Sequence, residues 1–114
     1  MMIINKTKNS ILSEKAELCK SPFSKALGLM FSGKSRTLVF IFSKEKIISL
    51  HMFFVFYPID VLFLDKNKKV VETKIGFRPF TFCTPKNKAM YVIELPSGTV
   101  KKTKTSRGDI ISFK

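Results

Sequence analysis

The groups able to do chemistry in this chain are few: one histidine, His51, two cysteines, Cys19 and Cys83, and eight carboxylates. Their spacing assembles no local catalytic or metal site. A metal centre needs His, Cys or carboxylates clustered at ligand spacing. One histidine and two distant cysteines cannot supply that, so neither a metal nor a cofactor is expected. There is no Gly-x-Ser-x-Gly elbow, and a Cys–His dyad would require the fold to carry Cys19 or Cys83 to His51. Asp60 and Asp65 bracket one apolar run, but five residues of strand point them to opposite faces, which argues against a shared two-carboxylate mechanism. One formal motif is present: GLMFSGKS, residues 28–35, fits the phosphate-loop pattern GxxxxGK[ST], and VLFLD, residues 61–65, imitates the apolar run before a magnesium-binding aspartate. Such a loop follows a strand and opens a helix at its Lys-Ser. Here a helix precedes it and the strand-like TLVFIF follows, so no nucleotide binding is expected.

Two polar groups stand out by their surroundings. His51 and Asp60 lie inside residues 49–65, SLHMFFVFYPIDVLFLD, the most apolar run of the chain. A polar group inside an apolar strand must be satisfied or functional, because left unpaired it costs about 1–3 kcal/mol. Either each satisfies backbone groups, with Asp60 capping the turn after Pro58, or the two line a concave site floored by Phe53 and its neighbours. Tyr57, Arg78 and Glu94 are the other candidates for that site.

The elements that must position these groups are mostly strands. Pro58 breaks the apolar run into two, 49–56 and 60–64, with Tyr57-Pro58-Ile59 as the turn. Pairing Val55 with Leu62 brings His51, Tyr57 and Asp60 to one face; pairing Phe54 with Leu62 puts His51 opposite Asp65 and turns Asp60 away. The first register is favoured. Ile3-Ile4 and residues 10–12 are short strand candidates, with 14–19 continuing the second. Ser21-Pro22 reads as N-cap and first position of a short helix over 21–27, which Gly28 ends. A buried strand over 38–42 runs into a charged turn at 43–46. Residues 69–74 and 76–83 are further strands, the latter interrupted by Arg78-Pro79. MYVIEL, residues 90–95, ends at the turn Pro96-Ser97-Gly98, residues 100–106 are polar and basic, and 110–113 form a last strand.

Bulk properties narrow the classes. A chain of 114 residues, 45% hydrophobic with twelve Phe, accommodates one core and one domain over 1–114. Two cysteines without a CxxC make a poor disulfide framework, so free thiols are expected. The run from Ile47 to Leu64 could imitate a membrane span, but it carries His51, Pro58 and Asp60, so no span is expected. The opening MMIINKTKNS shows no apolar core of a secretory leader, so the expected location is cytoplasmic. The net charge of +13 comes from eighteen Lys and three Arg. Such a surface attracts polyanions, but base and phosphate readers lean on Arg, so nucleic acid is expected only as a non-specific partner.

Taken together, GLMF at 28–31, LVFIF at 38–42, His51-Met52-Phe53, PIDVLFLD at 58–65, ELPSGT at 94–99 and Gly108-Asp109 resemble the family called domain of unknown function 192. The similarity runs in order from about Lys20 to Ile110. It implies a compact, mainly antiparallel β fold of sandwich type and carries no activity with it. Where members often have an acid–Arg pair before Gly-Leu-Met, this chain has Ser24-Lys25, so any salt bridge there is lost or altered. The expected fold is all-β and mainly antiparallel, a compact β-sandwich or partly closed barrel with one short helix. The expected function is a monomeric, non-catalytic module binding a small ligand or protein through His51, Tyr57, Asp60, Arg78 and Glu94. The alternatives are a small enzyme using the same groups, or a weak polyanion binder working through its lysines.

Overall fold

The computed structural model describes residues 1–19, 36–50 and 57–114, with the backbone of His51. Short strands dominate, as the sequence pattern predicts. They are β1 (Ile3–Asn5), β2 (Ser10–Ser13), β3 (Glu17–Cys19), β4 (Leu38–Lys46), β5 (Leu50–His51), β6 (Ile59–Leu64), β7 (Val70–Phe77), β8 (Phe82–Cys83), β9 (Ala89–Pro96) and β10 (Ile111–Phe113), with a one-turn helix α1 (Thr99–Thr103) before the last. A five-stranded sheet runs β3-β4-β9-β6-β7, a three-stranded sheet runs β10-β1-β2, and β5 pairs with β8. All described pairings are antiparallel except β3 with β4.

Because side chains alternate along a strand, the large sheet has two apolar faces. On one, Val39, Leu62, Leu64, Val70, Ile93 and Leu95 meet Ile3, Leu12 and Ile111 of the small sheet and Val100 of α1. That is the sandwich interior. On the other, Leu38, Phe40, Val61, Phe63, Phe77 and Val92 pack with Cys19, and Leu50, Tyr57 and Cys83 are laid against them. Every residue of β6 is buried, as a strand with neighbours on both edges and layers on both faces must be.

This position of β6 corrects the expected hairpin. Leu62 pairs with Thr73 on one side and Ile93 on the other, so both hydrogen-bonding edges are occupied. Neither edge of Leu62 is therefore open to the expected Val55–Leu62 or Phe54–Leu62 register. Instead Leu50 and His51 pair with Cys83 and Phe82, and residues 52–56 lie outside the described residues. Three local differences share that non-local cause. Residues 43–46 continue β4 rather than turn, because Lys46 finds Ala89 as partner. Residues 17–19 form a separate strand parallel to β4 rather than an extension of β2. Thr99–Thr103 is helical despite its basic, β-branched sequence. The helix expected over 21–27 and the GLMFSGKS segment lie outside the described residues. Cys19 and Cys83 are both free thiols. Among the described residues no helix is long and apolar enough to cross a membrane.

Candidate functional site

The sequence around Asp60 explains its place in the fold. Between Ile59 and Val61, β6 advances two residues while β7 advances three, from Phe77 to Lys74. The extra residue is a bulge, and Gly76 takes its left-handed conformation at φ 63°. This bulge aims the Gly76 N–H at Asp60 Oδ1, 3.0 Å away. On the other side, Gly98 at φ 95° turns the chain out of β9 into α1. The N–H groups of Gly98 and Val100 both donate to Asp60 Oδ2, at 3.0 Å each. The carboxylate is fully buried, and it caps a helix start that has no side-chain cap of its own. Three backbone donors satisfy the two buried oxygens and offset the cost of taking them out of water. Asp60 therefore clips together a strand bulge, a turn and a helix.

Glu94 is one pairing step away and faces the other way. Asp60 pairs with Leu95, whereas Glu94 pairs with Val61 on one side and Leu38 on the other. Cross-strand partners share a face. Glu94 thus points to the side of Leu38, Val61 and Cys19, opposite to Asp60. There it is only half-buried as a residue, yet burial pushes its carboxyl from an ordinary 4.5 up to about 7. Among the described residues no hydrogen bond or ion pair engages that carboxyl. A carboxyl with no partner among the described residues, on a sheet face built mainly of Leu38, Phe40, Val61, Phe63 and Val92, marks a functional candidate.

The neighbours of Glu94 come from β3 and the start of β4. The register Glu17↔Leu38 and Cys19↔Phe40 carries Glu17 and Cys19 to the same face. Arg36 pairs with Glu17 at 3.3 Å. The Cys19 thiol is pushed above its ordinary 9.0, first by burial and then by the charges of Glu17 and Glu94, with Arg36 opposing. It is therefore a protonated thiol near neutral pH and a poor nucleophile.

The other expected site residues are distributed as follows. Tyr57 packs against the apolar cluster of the Glu94 face. His51 stands in β5, its backbone paired with Phe82. Arg78 is exposed beyond the end of β7, and its carbonyl accepts the Thr81 hydroxyl at 2.6 Å. So Glu94 and Tyr57 share one face of the sheet, Asp60 is sealed on the opposite face, and Arg78 lies outside both layers. No feature of the sequence singles out Glu17 or Arg36, or joins Cys19 to Glu94. The gathering of Glu17, Arg36 and Glu94 about Cys19 depends on the parallel β3–β4 register, for which no local signal exists. A second buried carboxylate, Asp109, accepts from Asn5 at 2.9 Å, from Lys8 at 2.9 Å and from the Ser106 N–H at 3.0 Å. Burial alone would raise its carboxyl, but the bonds from Asn5, Lys8 and Ser106 together hold it below the ordinary 3.8. Among the described residues no group of His, Cys, Asp and Glu could hold a metal ion.

Comparison with known proteins agrees with this architecture. Residues 3–113 match the DUF192 model, described as an uncharacterized ACR. A UPF0127 protein of Pyrococcus horikoshii is 39% identical over 114 residues, covering 98% of both chains. A UPF0127 protein of Thermococcus sibiricus is 37% identical over 115 residues, covering 98% of this chain and 74% of the relative. In fold, the crystal structure of a protein of unknown function from Novosphingobium aromaticivorans DSM 12444 superposes with a TM-score of 0.85 at 16% identity, over 98% of this chain and 82% of that one.

Proposed function

The chain belongs to the DUF192 family of uncharacterised proteins, and from that premise we propose that it is a non-catalytic binding module whose ligand anchors on Glu94. The observation that carries this reading is the Glu94 carboxyl, pushed up by burial and bonded by none of the described residues, on the largely apolar sheet face. Its cross-strand partners Leu38 and Val61, part of an apolar cluster against which Tyr57 also packs, favour a ligand with an apolar body. A carboxylate taken out of water, with no counter-ion among the described residues, favours a cationic or hydrogen-donating head group. His51 enters this reading only through β5, whose Leu50 packs against the same cluster. Asp60 enters it as the clip that holds β6 and β9 in register.

An enzymatic reading has one specific point in its favour, a carboxyl near 7, where an acid–base group works best at neutral pH. The raised Cys19 thiol weighs against nucleophilic chemistry beside it.

The test uses n-octylamine as a probe, with n-octanol as the uncharged control, in a thermal-shift titration of the intact protein. At pH 8 the Glu94 carboxyl, at about 7, is mostly ionised. The melting temperature should therefore rise with octylamine concentration, and rise less at pH 5.5. Glu94→Gln should abolish the charged preference while leaving the octanol response unchanged. Equal octylamine responses in wild type and variant would overturn the assignment.

A further inference from the structure

Six of the eighteen lysines, Lys6, Lys8, Lys66, Lys68, Lys69 and Lys104, lie far apart in the sequence but converge at one end of the sandwich. Three loops meet there: residues 6–9 between β1 and β2, 65–69 between β6 and β7, and 104–110 between α1 and β10. The last loop is bonded to both of the others. The Lys6 N–H donates to the Ile110 carbonyl at 2.8 Å, and the Ile110 N–H to Thr7 Oγ1 at 2.9 Å. On the other flank, the Ile111 N–H donates to the Lys68 carbonyl at 2.9 Å, and the Gly108 N–H to the Val70 carbonyl at 2.8 Å. Left-handed residues in each loop, Asn9, Lys68, Lys104 and Gly108, keep the turns tight.

The joined loops present Lys6, Lys8, Lys66, Lys69, Lys104 and Arg107 to solvent. The acids nearby are already engaged. Asp109 is buried and takes Lys8. Asp65 accepts the amides of Asn67 and Lys69 in its own turn, at 2.8 and 3.0 Å. Glu45, at the border, accepts the Lys66 amide at 2.8 Å. Lys68 lies over the rings of Phe113 and Tyr91, 5.0 and 5.8 Å from their centroids. Among the described residues, no carboxylate pairs with the side chains of Lys6, Lys66, Lys69, Lys104 or Arg107.

We propose that this three-loop end is a docking surface for the phosphodiester backbone of a nucleic acid. It is independent of the Glu94 site. The field of these five cations, free of direct carboxylate partners among the described residues and only partly offset by Asp65 and Glu45, supplies the affinity, by releasing counter-ions from the polyanion. Thr7, Asn9, Asn67 and Ser106 in the same loops are the small polar residues that donate to phosphate oxygens. One arginine among so many lysines fits backbone contact rather than the bidentate reading of bases, so binding is independent of sequence. A lipid surface fits less well. Interfacial binding needs apolar side chains to insert, and among the described residues the exposed large ones, Met1, Ile11, Leu18, Ile47, Ile75, Phe80 and Phe82, lie outside the three loops.

Fluorescence anisotropy with a labelled 20-nucleotide single-stranded RNA and a 20-base-pair DNA duplex, of unrelated sequences, tests this. For five phosphate contacts the slope of log K against log salt should be about −4.5 on the duplex and about −3.5 on the single strand. The triple variant K66Q/K104Q/R107Q should weaken binding at low salt and lower the magnitude of the slope by about 1 per charge removed. K15Q/K74Q/K114Q removes the same charge outside these loops and should bind like the wild type; circular dichroism confirms that both variants are folded. The comparison of the two variants separates a local surface from the effect of total charge. Equal losses in the two variants would overturn the proposal, and so would binding to phosphatidylserine vesicles with none to either nucleic acid at the same salt.

Discussion

Asp60 and Glu94 are both carboxylates flanked by apolar residues on neighbouring strands, yet their circumstances are opposite. Asp60 has three backbone donors, and Glu94 has none among the described residues. The difference gives Asp60 a measurable role in the fold. Asp60→Asn keeps the shape, but the amide brings an NH2 group against a backbone N–H and loses at least one accepted bond. The expected cost is about 2–4 kcal/mol, read from the urea midpoint at constant slope. A variant as stable as the wild type would remove Asp60 from that role. The sequence makes Asp60 visible as a polar break in an apolar run, and Glu94 only as a further candidate for the same site. It could not say which face each would take, because that depends on pairing β6 with β9, some thirty residues further along. The expectation that Asp60 satisfies backbone groups holds, although the groups belong to Gly76, Gly98 and Val100 rather than to the turn at Pro58.

At the scale of elements, strands were legible wherever a β-branched or aromatic run ended in a turn residue, as at β4, β6, β9 and β10. Pairing was not. The run through residues 49–65 looks like a hairpin because its halves are adjacent and Pro58 lies between them. β6 instead joins β7 and β9, which bury it more completely than one neighbour could. α1 was missed because its start is capped from outside by Asp60, whereas a sequence signal looks for a capping side chain at the helix itself. The bulge in β7 offers a direct test. An added Cβ at Gly76 would meet no atom within 4 Å, so space does not demand glycine there. Its φ of 63° does. Gly76→Ala should cost about 1–2 kcal/mol, and Gly76→Asn less, since asparagine tolerates the left-handed region. Equal costs for the two would point to a packing cause instead.

For the molecule as a whole, Glu94 and Asp109 pull the dependence of stability on pH in opposite directions. Glu94 has a carboxyl raised from 4.5 to about 7 in the folded state. Between those values the folded chain holds a proton that the unfolded chain has released, so stability falls as pH rises. The whole effect is at most about 3.5 kcal/mol, since each tenfold change in acidity is worth about 1.4 kcal/mol. Asp109 has its carboxyl held below 3.8, so its contribution is present above that value and is lost as pH falls through the folded value. Asp109 also joins the two ends of the chain, since its partners Asn5 and Lys8 flank the end of β1 while it precedes β10. Protonating it loosens the contact that closes the small sheet. Stability should therefore peak near pH 4–5, more acidic than the pH 5–8 common among proteins. Urea unfolding from pH 2 to 8 should show this maximum in the wild type. Glu94→Gln should remove the decline between pH 4.5 and 7 and be the more stable protein at pH 8. Asp109→Asn should be less stable at neutral pH, and its loss on the acid side should shrink. A wild-type curve flat from pH 4.5 to 7 would mean that Glu94 ionises normally, and that the fold gives up no stability to keep a carboxyl ready for a ligand.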